Sequence, residues 1–246
     1  MNIQQAIDWQ KKSRLYVSLA TRPGKTGETF YNTLFQYHNI DAEYVACECK
    51  DLAKDMDFAR KYCAGVSVTM PYKIEVGQFV DAWECRPGPV NTIKVKQGRF
   101  IAYNCDYRGL ENNLPDIKGK TINILGDGAM AENVKLLAEY KGATIKQYSR
   151  RLGNWDQRHQ VCGVVVNCTS IGMNPDESPL TDLDHVETVV DCVIGNTKLR
   201  RLAKNENRKI ISGADIYVEQ FKYQFQIYTG VEPDTEVTKR IAKEFL

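Results

Sequence analysis

Thr121-Ile122-Asn123-Ile124-Leu125-Gly126-Asp127-Gly128-Ala129-Met130-Ala131 is the stretch that decides the fold. An apolar run of strand length ends on two glycines, and a helical pattern follows to Tyr140, with Val134, Leu136 and Leu137 on one side. The switch from strand period to helix period across a tight turn predicts a βα unit. Gly126-x-Gly128-x-x-Ala131 also matches the G-x-G-x-x-[G/A] spacing for dinucleotides. Glycines there let backbone N–H groups approach a pyrophosphate, and the helix N-terminus, opening at Ala129, adds partial positive charge. The alternative is an ordinary strand-to-helix turn.

Working outward, Ala143 to Tyr148 reads as the next strand, and it ends on Ser149-Arg150-Arg151. A carboxylate at that point would hold the ribose hydroxyls of NAD, whereas guanidinium groups favour the extra phosphate of NADP. The alternative is a pair of solvated surface charges. Asp127 and Glu132 suit a helix N-terminus electrostatically. They would repel a pyrophosphate unless their side chains turn to solvent. Further strands are expected at Gly163–Asn167, Thr188–Val193 and Lys209–Ser212, and helices at Ala214–Tyr228 and Thr235–Phe245.

The same alternation runs upstream: strands at Leu15–Ala20, Ala42–Cys47 and Gly65–Thr69, helices at Thr26–Tyr37 and Leu52–Tyr62. Pro71 fits the first turn of a short helix. Val90–Val95 and Arg99–Tyr103 read as a hairpin across Lys96-Gln97-Gly98, and Asp106 as the N-cap of the next helix. An α/β protein with mostly parallel sheets is expected, the chain crossing between domains near Pro115–Lys120.

Bulk composition is that of an ordinary globular chain. With 246 residues and a formal net charge of +2, nothing points to a nucleic-acid or membrane partner. No apolar run approaches the roughly 20 residues of a membrane helix, and the polar N-terminus lacks a signal-peptide core, so a cytoplasmic location is expected. The eight cysteines, Cys47, Cys49, Cys63, Cys85, Cys105, Cys162, Cys168 and Cys192, form no Cys-x-x-Cys and read as buried reduced thiols. His38, His159 and His185 form no metal pattern, and no metal site is expected.

Two short frames carry chemistry. Ser67-Val68-Thr69-Met70-Pro71-Tyr72-Lys73 holds a lysine, and Asn104-Cys105-Asp106-Tyr107-Arg108-Gly109 an aspartate, with Val90-Asn91-Thr92-Ile93 between them in sequence. A buried ammonium beside a carboxylate can move a proton to or from a substrate hydroxyl. Taken singly, Lys73 reads equally as a surface lysine at a helix start and Asp106 as a cap.

Taken in order, these motifs resemble the shikimate dehydrogenase and shikimate/quinate dehydrogenase family over nearly the whole chain. Ser67–Lys73 resembles its lysine motif, Val90–Ile93 its Asn-Thr motif, and Asn104–Gly109 its Asn-Thr-Asp-Gly motif. Gly126–Ala131 resembles its glycine loop and Ser149-Arg150-Arg151 its Asn-Arg-Thr phosphate clamp. Asn167–Met173 resembles its Asn-Ala-Thr-Ser-x-Gly-Met loop, Gly213–Gln220 its late glycine-to-glutamine motif, and Tyr228-Thr229-Gly230 its helix end.

The resemblance implies an N-terminal α/β substrate domain, residues 1–110 with a C-terminal helix at about 220–246 packing back on it, and a Rossmann-type NADP domain, residues 111–219, with a cleft between. It implies Lys73 and Asp106 as the catalytic pair. Thr69, Asn91, Asp106 and Gln220 would contact the substrate. Gly126, Gly128, Ala129, Ala131, Ser149, Arg150, Arg151, Thr169, Met173 and Gly213 would hold NADP. The implied activity is reversible hydride transfer between NADPH and 3-dehydroshikimate or a related ring hydroxy acid, with a homodimer left open.

The family's Ser-x-Ser-Pro segment, which grips the substrate carboxylate, is Lys25-Thr26-Gly27-Glu28 here. Lys25, as a point charge, or Thr26 would take over that task, and Glu28 would oppose it. Tyr31 stands for the usual histidine, Ser67 for asparagine, Cys105 for threonine, Tyr107 for glycine, Glu132 for a common arginine and Ile194 for a tyrosine. Quinate or another cyclic alcohol as substrate, or a non-catalytic nucleotide- or metabolite-binding relative, are the alternatives.

Overall fold

The computed structural model describes residues 1–84 and 88–245, with side chains to residue 243; Cys85 lies outside the described residues. The chain forms two compact units, Met1–Cys105 together with Phe221–Phe245, and Asp106–Gln220.

In the first unit the strands are β1 (Arg14–Ala20), β2 (Ala42–Glu48), β3 (Gly65–Val68), β4 (Ala82–Trp83), β5 (Thr92–Lys96) and β6 (Arg99–Tyr103). They form one sheet in the order β2-β1-β3-β5-β6-β4. β1 runs parallel to β2 and β3, whereas β5 is antiparallel to β3 and β6. Helix α1 (Ile3–Trp9) precedes the first strand, and α2 (Thr26–Tyr37) and α3 (Leu52–Tyr62) connect β1 to β2 and β2 to β3. Alternation along β1 sends Leu15, Val17 and Leu19 into an aliphatic core with Met56, Val66, Val68 and Ile93. Tyr16 belongs to a second, aromatic core. It lies 4.7 Å from Tyr228, Phe30 lies 4.5 Å from Phe221, and Tyr31 stacks on Tyr44 at 4.5 Å. Such pairs add about 0.5–1.5 kcal/mol each beyond their burial, which ties residues 221–229 to the N-terminal sheet.

The second unit holds β7 (Thr121–Leu125), β8 (Thr144–Tyr148), β9 (Gly163–Asn167), β10 (Val186–Asp191) and β11 (Lys209–Ser212), in the order β11-β10-β9-β7-β8, all parallel. Ile122, Ile124, Val164, Val166 and Val190 are buried, as a sheet covered on both faces requires. Edge strand β8 alternates instead, exposing Thr144 and Lys146. α5 (Ala129–Lys141) and α6 (Lys198–Asn205) belong to this unit. α4 (Cys105–Asn113) and α7 (Gly213–Thr229) carry the chain into and out of it, and α8 (Thr235–Phe245) closes the sequence. β7 has β8 on one side and β9 on the other, so the connections after β7 and β9 diverge at the carboxyl edge. That is where open α/β sheets take ligands.

Several expectations are corrected. Asp106 is not an N-cap, because α4 already begins at Cys105, which puts the aspartate inside the first turn. Pro71 lies in a turn, its peptide bond with Met70 cis, and the short 3-10 helix starts only at Glu75. β10 begins at Val186, two residues before the expected start. Cys162, Cys168 and Cys192 are half-buried rather than buried. The seven described cysteines are free thiols, and burial pushes those of Cys47, Cys49 and Cys63 up to about 12. No described helix is long and apolar enough to cross a membrane.

Candidate active site

The carboxyl edge of the second sheet carries a cavity of about 330 Å³ lined by Gly126, Asp127, Ser149, Arg150, Arg151, Trp155, Thr169, Ser170 and Ile171. Gly126 ends β7 at φ +111°, and a Cβ there would sit 3.2 Å from the Cys168 carbonyl and from Thr169 Cγ2. Only glycine relieves both constraints. Gly128 takes the N-cap position of α5 without a side-chain cap, and a Cβ there would meet open space. The first N–H groups of α5, from Ala129 on, are thus left for an outside acceptor. Ala131 is fully buried. A pyrophosphate therefore fits this turn.

The two carboxylates that threatened that fit are both paired. Arg151 Nε donates to Asp127 Oδ2 at 3.0 Å and a second guanidinium nitrogen donates to the Asp127 carbonyl at 3.2 Å. Glu132 receives Lys135 at 3.0 Å. Arg150 is exposed, and among the described residues its guanidinium makes no hydrogen bond or ion pair. The loop carrying both arginines is braced by Asn154, which accepts from the Ser149 N–H at 3.0 Å and donates to the Gln147 carbonyl at 2.8 Å.

Thr169 reaches the cavity because Asn167 holds its loop. Asn167 Oδ1 accepts from the Thr169 hydroxyl at 2.7 Å, and Nδ2 donates to the Ile171 carbonyl at 3.0 Å and to Asp191 at 2.9 Å. Asp191 is fully buried and also accepts from Thr197 and from the Val193 N–H. Burial raises its carboxyl above the usual range, against the pull of these donors. The sequence reading missed this brace, although an aspartate closing an apolar strand was a usable signal. Met173 is 68% exposed and does not line the cavity. Gly213 does not line it either: a Cβ there would lie 2.7 Å from the Cys192 and Val193 carbonyl oxygens, so close packing accounts for this glycine.

Asp106 and Gln220 are buried in the same unit. Gly109, one turn after Asp106, lies so near α7 that a Cβ would be 2.6 Å from the Ile216 carbonyl oxygen and 3.5 Å from Gln220 Cβ. That approach brings the two polar residues onto neighbouring helices.

In the first unit the backbones around Lys73 and Asn91 are joined, and the Thr69 carbonyl accepts from the Tyr72 N–H at 2.9 Å in the turn that leads to Lys73. The Val90 N–H donates to the Lys73 carbonyl at 2.7 Å, and the Val68 N–H to the Asn91 carbonyl at 2.9 Å. Asn91 is 2% exposed and Lys73 half-buried. Lys25 takes the N-cap position of α2 with an exposed side chain that makes no hydrogen bond among the described residues, and Thr26 opens the helix. Glu28 does not face them as an idle charge, since its Oε2 accepts from the Ala46 N–H at 2.8 Å. Ser67 Oγ lies 2.9 Å from the Tyr228 hydroxyl. Among the described residues no three His, Cys, Asp or Glu side chains are grouped to hold a metal.

The chain is similar to proteins of one known family. Residues 28–93 match the family described as the shikimate dehydrogenase substrate binding domain. The shikimate dehydrogenase (NADP(+)) of Pyrococcus abyssi is 31% identical over 242 residues, covering 88% of this chain and 92% of that protein. The enzyme of the same name from Archaeoglobus fulgidus is 30% identical, covering 93% and 97%. The crystal structure of shikimate dehydrogenase from Aquifex aeolicus superposes with a TM-score of 0.81 at 25% identity, covering 99% of both chains.

Proposed function

We propose a division of labour for a chain that belongs to the shikimate dehydrogenase family: residues 1–110 with about 220–246 hold the ring substrate, and residues 111–219 the cofactor. Its activity is the NADP-dependent oxidoreduction of shikimate. Bound NADP supplies the hydride acceptor in one direction and, reduced, the hydride donor in the other. The observation that carries the reading is the single cavity that gathers Gly126, Ser149, Arg150 and Thr169, four residues from three separate sequence motifs.

The backbone N–H groups after Gly126 and Gly128 hold the pyrophosphate, and Arg150 with Ser149 holds the 2′-phosphate. Lys73 exchanges the proton. When the ring ketone is reduced, its oxygen gains negative charge, and the Lys73 ammonium donates to it. In the oxidative direction the Lys73 amine takes the hydroxyl proton. Asp106 accepts from a substrate hydroxyl. Asn91, Gln220 and Thr69 supply further hydroxyl contacts. Lys25 at the start of α2 receives the substrate carboxylate as a point charge, with Thr26 beside it.

Lys73→Ala is the decisive variant. Turnover should fall by about two to four orders of magnitude, as loss of a proton-transfer group predicts, while NADPH affinity stays near wild type. Normal turnover would remove the mechanism. The Lys25-Thr26-Gly27 segment favours a second reading, in which the preferred acid is a relative such as quinate. A panel of ring hydroxy acids ranked by kcat/KM separates the two. A cytoplasmic enzyme is proposed, and sedimentation tests for a homodimer.

A further inference from the structure

Gln224 lies one helical turn beyond Gln220 on α7 and is 1% exposed. Leucine would fill that space without an amide to desolvate, so the amide calls for a reason. Both of its ends are engaged. Oε1 accepts from the Tyr31 hydroxyl in a short bond, while Nε2 donates to Thr92 Oγ1 at 2.6 Å and to the Asn91 carbonyl at 3.2 Å. Thr92 Oγ1 lies 2.8 Å from Asn91 Oδ1 and 3.2 Å from Cys105 Sγ. The amide oxygen is the stronger acceptor, so the hydroxyl proton goes there. The Cys105 backbone N–H points at the same Oδ1, at 2.8 Å.

A backbone N–H can only donate, so the Asn91 atom it meets is the oxygen. The carboxamide is thereby fixed, and Nδ2 is turned to the side of Cγ away from this network. Every bond runs in one sense, from Tyr31 to Gln224 to Thr92 to Asn91. A reversed Gln224 amide would set its oxygen against the Asn91 carbonyl and compete for the Thr92 proton. Shape alone permits either orientation; the Asn91 carbonyl, which can only accept, selects the one that turns Nε2 toward it, and the Tyr31 hydroxyl, able to donate or accept, then donates to Oε1.

We propose that Gln224 is a positioning residue, which with Tyr31 and Thr92 locks the Asn91 side chain so that it meets a substrate hydroxyl as a donor. This rests on the reading that Asn91 contacts the substrate. Tyr31 then has a task of its own: its hydroxyl satisfies the buried Gln224 Oε1 and so holds the amide in the orientation that the Asn91 carbonyl dictates.

The test is steady-state kinetics of the full chain with NADP and shikimate, on Gln224→Leu, Tyr31→Phe, Thr92→Val, Thr92→Ser, Asn91→Ala and the double variant Asn91→Ala/Gln224→Leu. Gln224→Leu should raise the ring-acid KM roughly five- to tenfold, the loss of one oriented hydrogen bond. The NADP KM should stay unchanged and kcat within about twofold. Tyr31→Phe and Thr92→Val should shift KM the same way, while Thr92→Ser, which keeps the hydroxyl, restores it. Placed on Asn91→Ala, Gln224→Leu should add nothing. Independent losses in the double variant, or an unchanged ring-acid KM in Gln224→Leu and Tyr31→Phe, would overturn the proposal. An unchanged KM in Asn91→Ala would overturn the assignment beneath it instead. Should Gln224→Leu not fold, Tyr31→Phe and the two Thr92 variants carry the test.

Discussion

Arg150 and Arg151 are neighbours with different partners. In sequence they are equivalent guanidinium groups after a strand. In the fold Arg151 is held by Asp127, a residue 24 positions earlier that the parallel pairing of β7 and β8 brings alongside. Arg150→Ala should therefore weaken NADP about ten- to a hundredfold, the range of a charge-assisted hydrogen bond, and leave NAD nearly unaffected. Arg151→Ala should weaken both cofactors alike, because it uncovers the Asp127 carboxylate at the turn that receives the pyrophosphate. Calorimetric titration with each dinucleotide reads both outcomes, and equal losses of NADP and NAD in Arg150→Ala would contradict the phosphate assignment. Asp191 gives a prediction of another kind. Its buried carboxyl keeps a proton at pH values where the unfolded chain, with its carboxyl near the ordinary value of about 3.9, has released it. Stability should thus decline as pH rises from about 4 through the raised value and level off above it. Thermal midpoints of wild type and Asp191→Asn, followed across that window, should differ in slope, the variant lacking this decline; parallel curves would contradict it. The Arg151 pairing was not legible in the sequence, since its partner lies 24 positions away; of the Asp191 brace only the aspartate in an apolar strand was, its partner Asn167 being equally distant.

Elements were legible where one physical signal dominated. The second sheet was readable because strands buried on both faces are nearly continuous apolar runs: Val164–Val166 is one, and Ile122–Leu125 is broken only by Asn123, whose buried amide bonds the Cys162 and Val164 carbonyls. The turn at Gly126 was readable because its backbone conformation excludes side chains. Gly126→Ala should cost about 1–3 kcal/mol in backbone strain and lower NADP affinity with it; a thermal melt and a titration on one sample measure both, and an unchanged melting temperature would refute the strain. Short helices were not readable. α1 spans seven residues and announces itself only by a capping box in which Asn2 and Gln5 bond each other's backbone. α6 depends on Thr197, whose hydroxyl accepts from the Arg200 N–H. Asp106 was misplaced by two positions because Cys105, an unremarkable residue, already adopts helical geometry. On α7 the pattern of Gln220, Phe221, Gln224, Phe225 and Tyr228 does mark one buried face. Gln224 could have been found there as a polar residue in an apolar stripe.

At the scale of the whole molecule, the first unit is built from both ends of the chain and the second from its middle. A chain that stops after Gln220 loses Phe221, Phe225 and Tyr228, whose rings pack on Phe30, Phe35 and Tyr16. Removing three large buried aromatics costs about 3–5 kcal/mol apiece, comparable in sum to the stability of an entire domain. Such a truncation should unfold the first unit and leave residues 106–220 folded. Near-ultraviolet circular dichroism would lose the first unit's share of the tyrosine signal while NADP affinity persists; loss of NADP affinity with it would show that the units do not fold separately. This interrupted architecture also bears on biosynthesis. The ribosome releases the six strands of the N-terminal sheet long before it releases Phe225 and Tyr228, so that sheet emerges with one aromatic face bare while more than a hundred further residues are still being translated. Nascent chains stalled near residue 215 should accordingly recruit chaperones, and lengthening them past Tyr228 should release them.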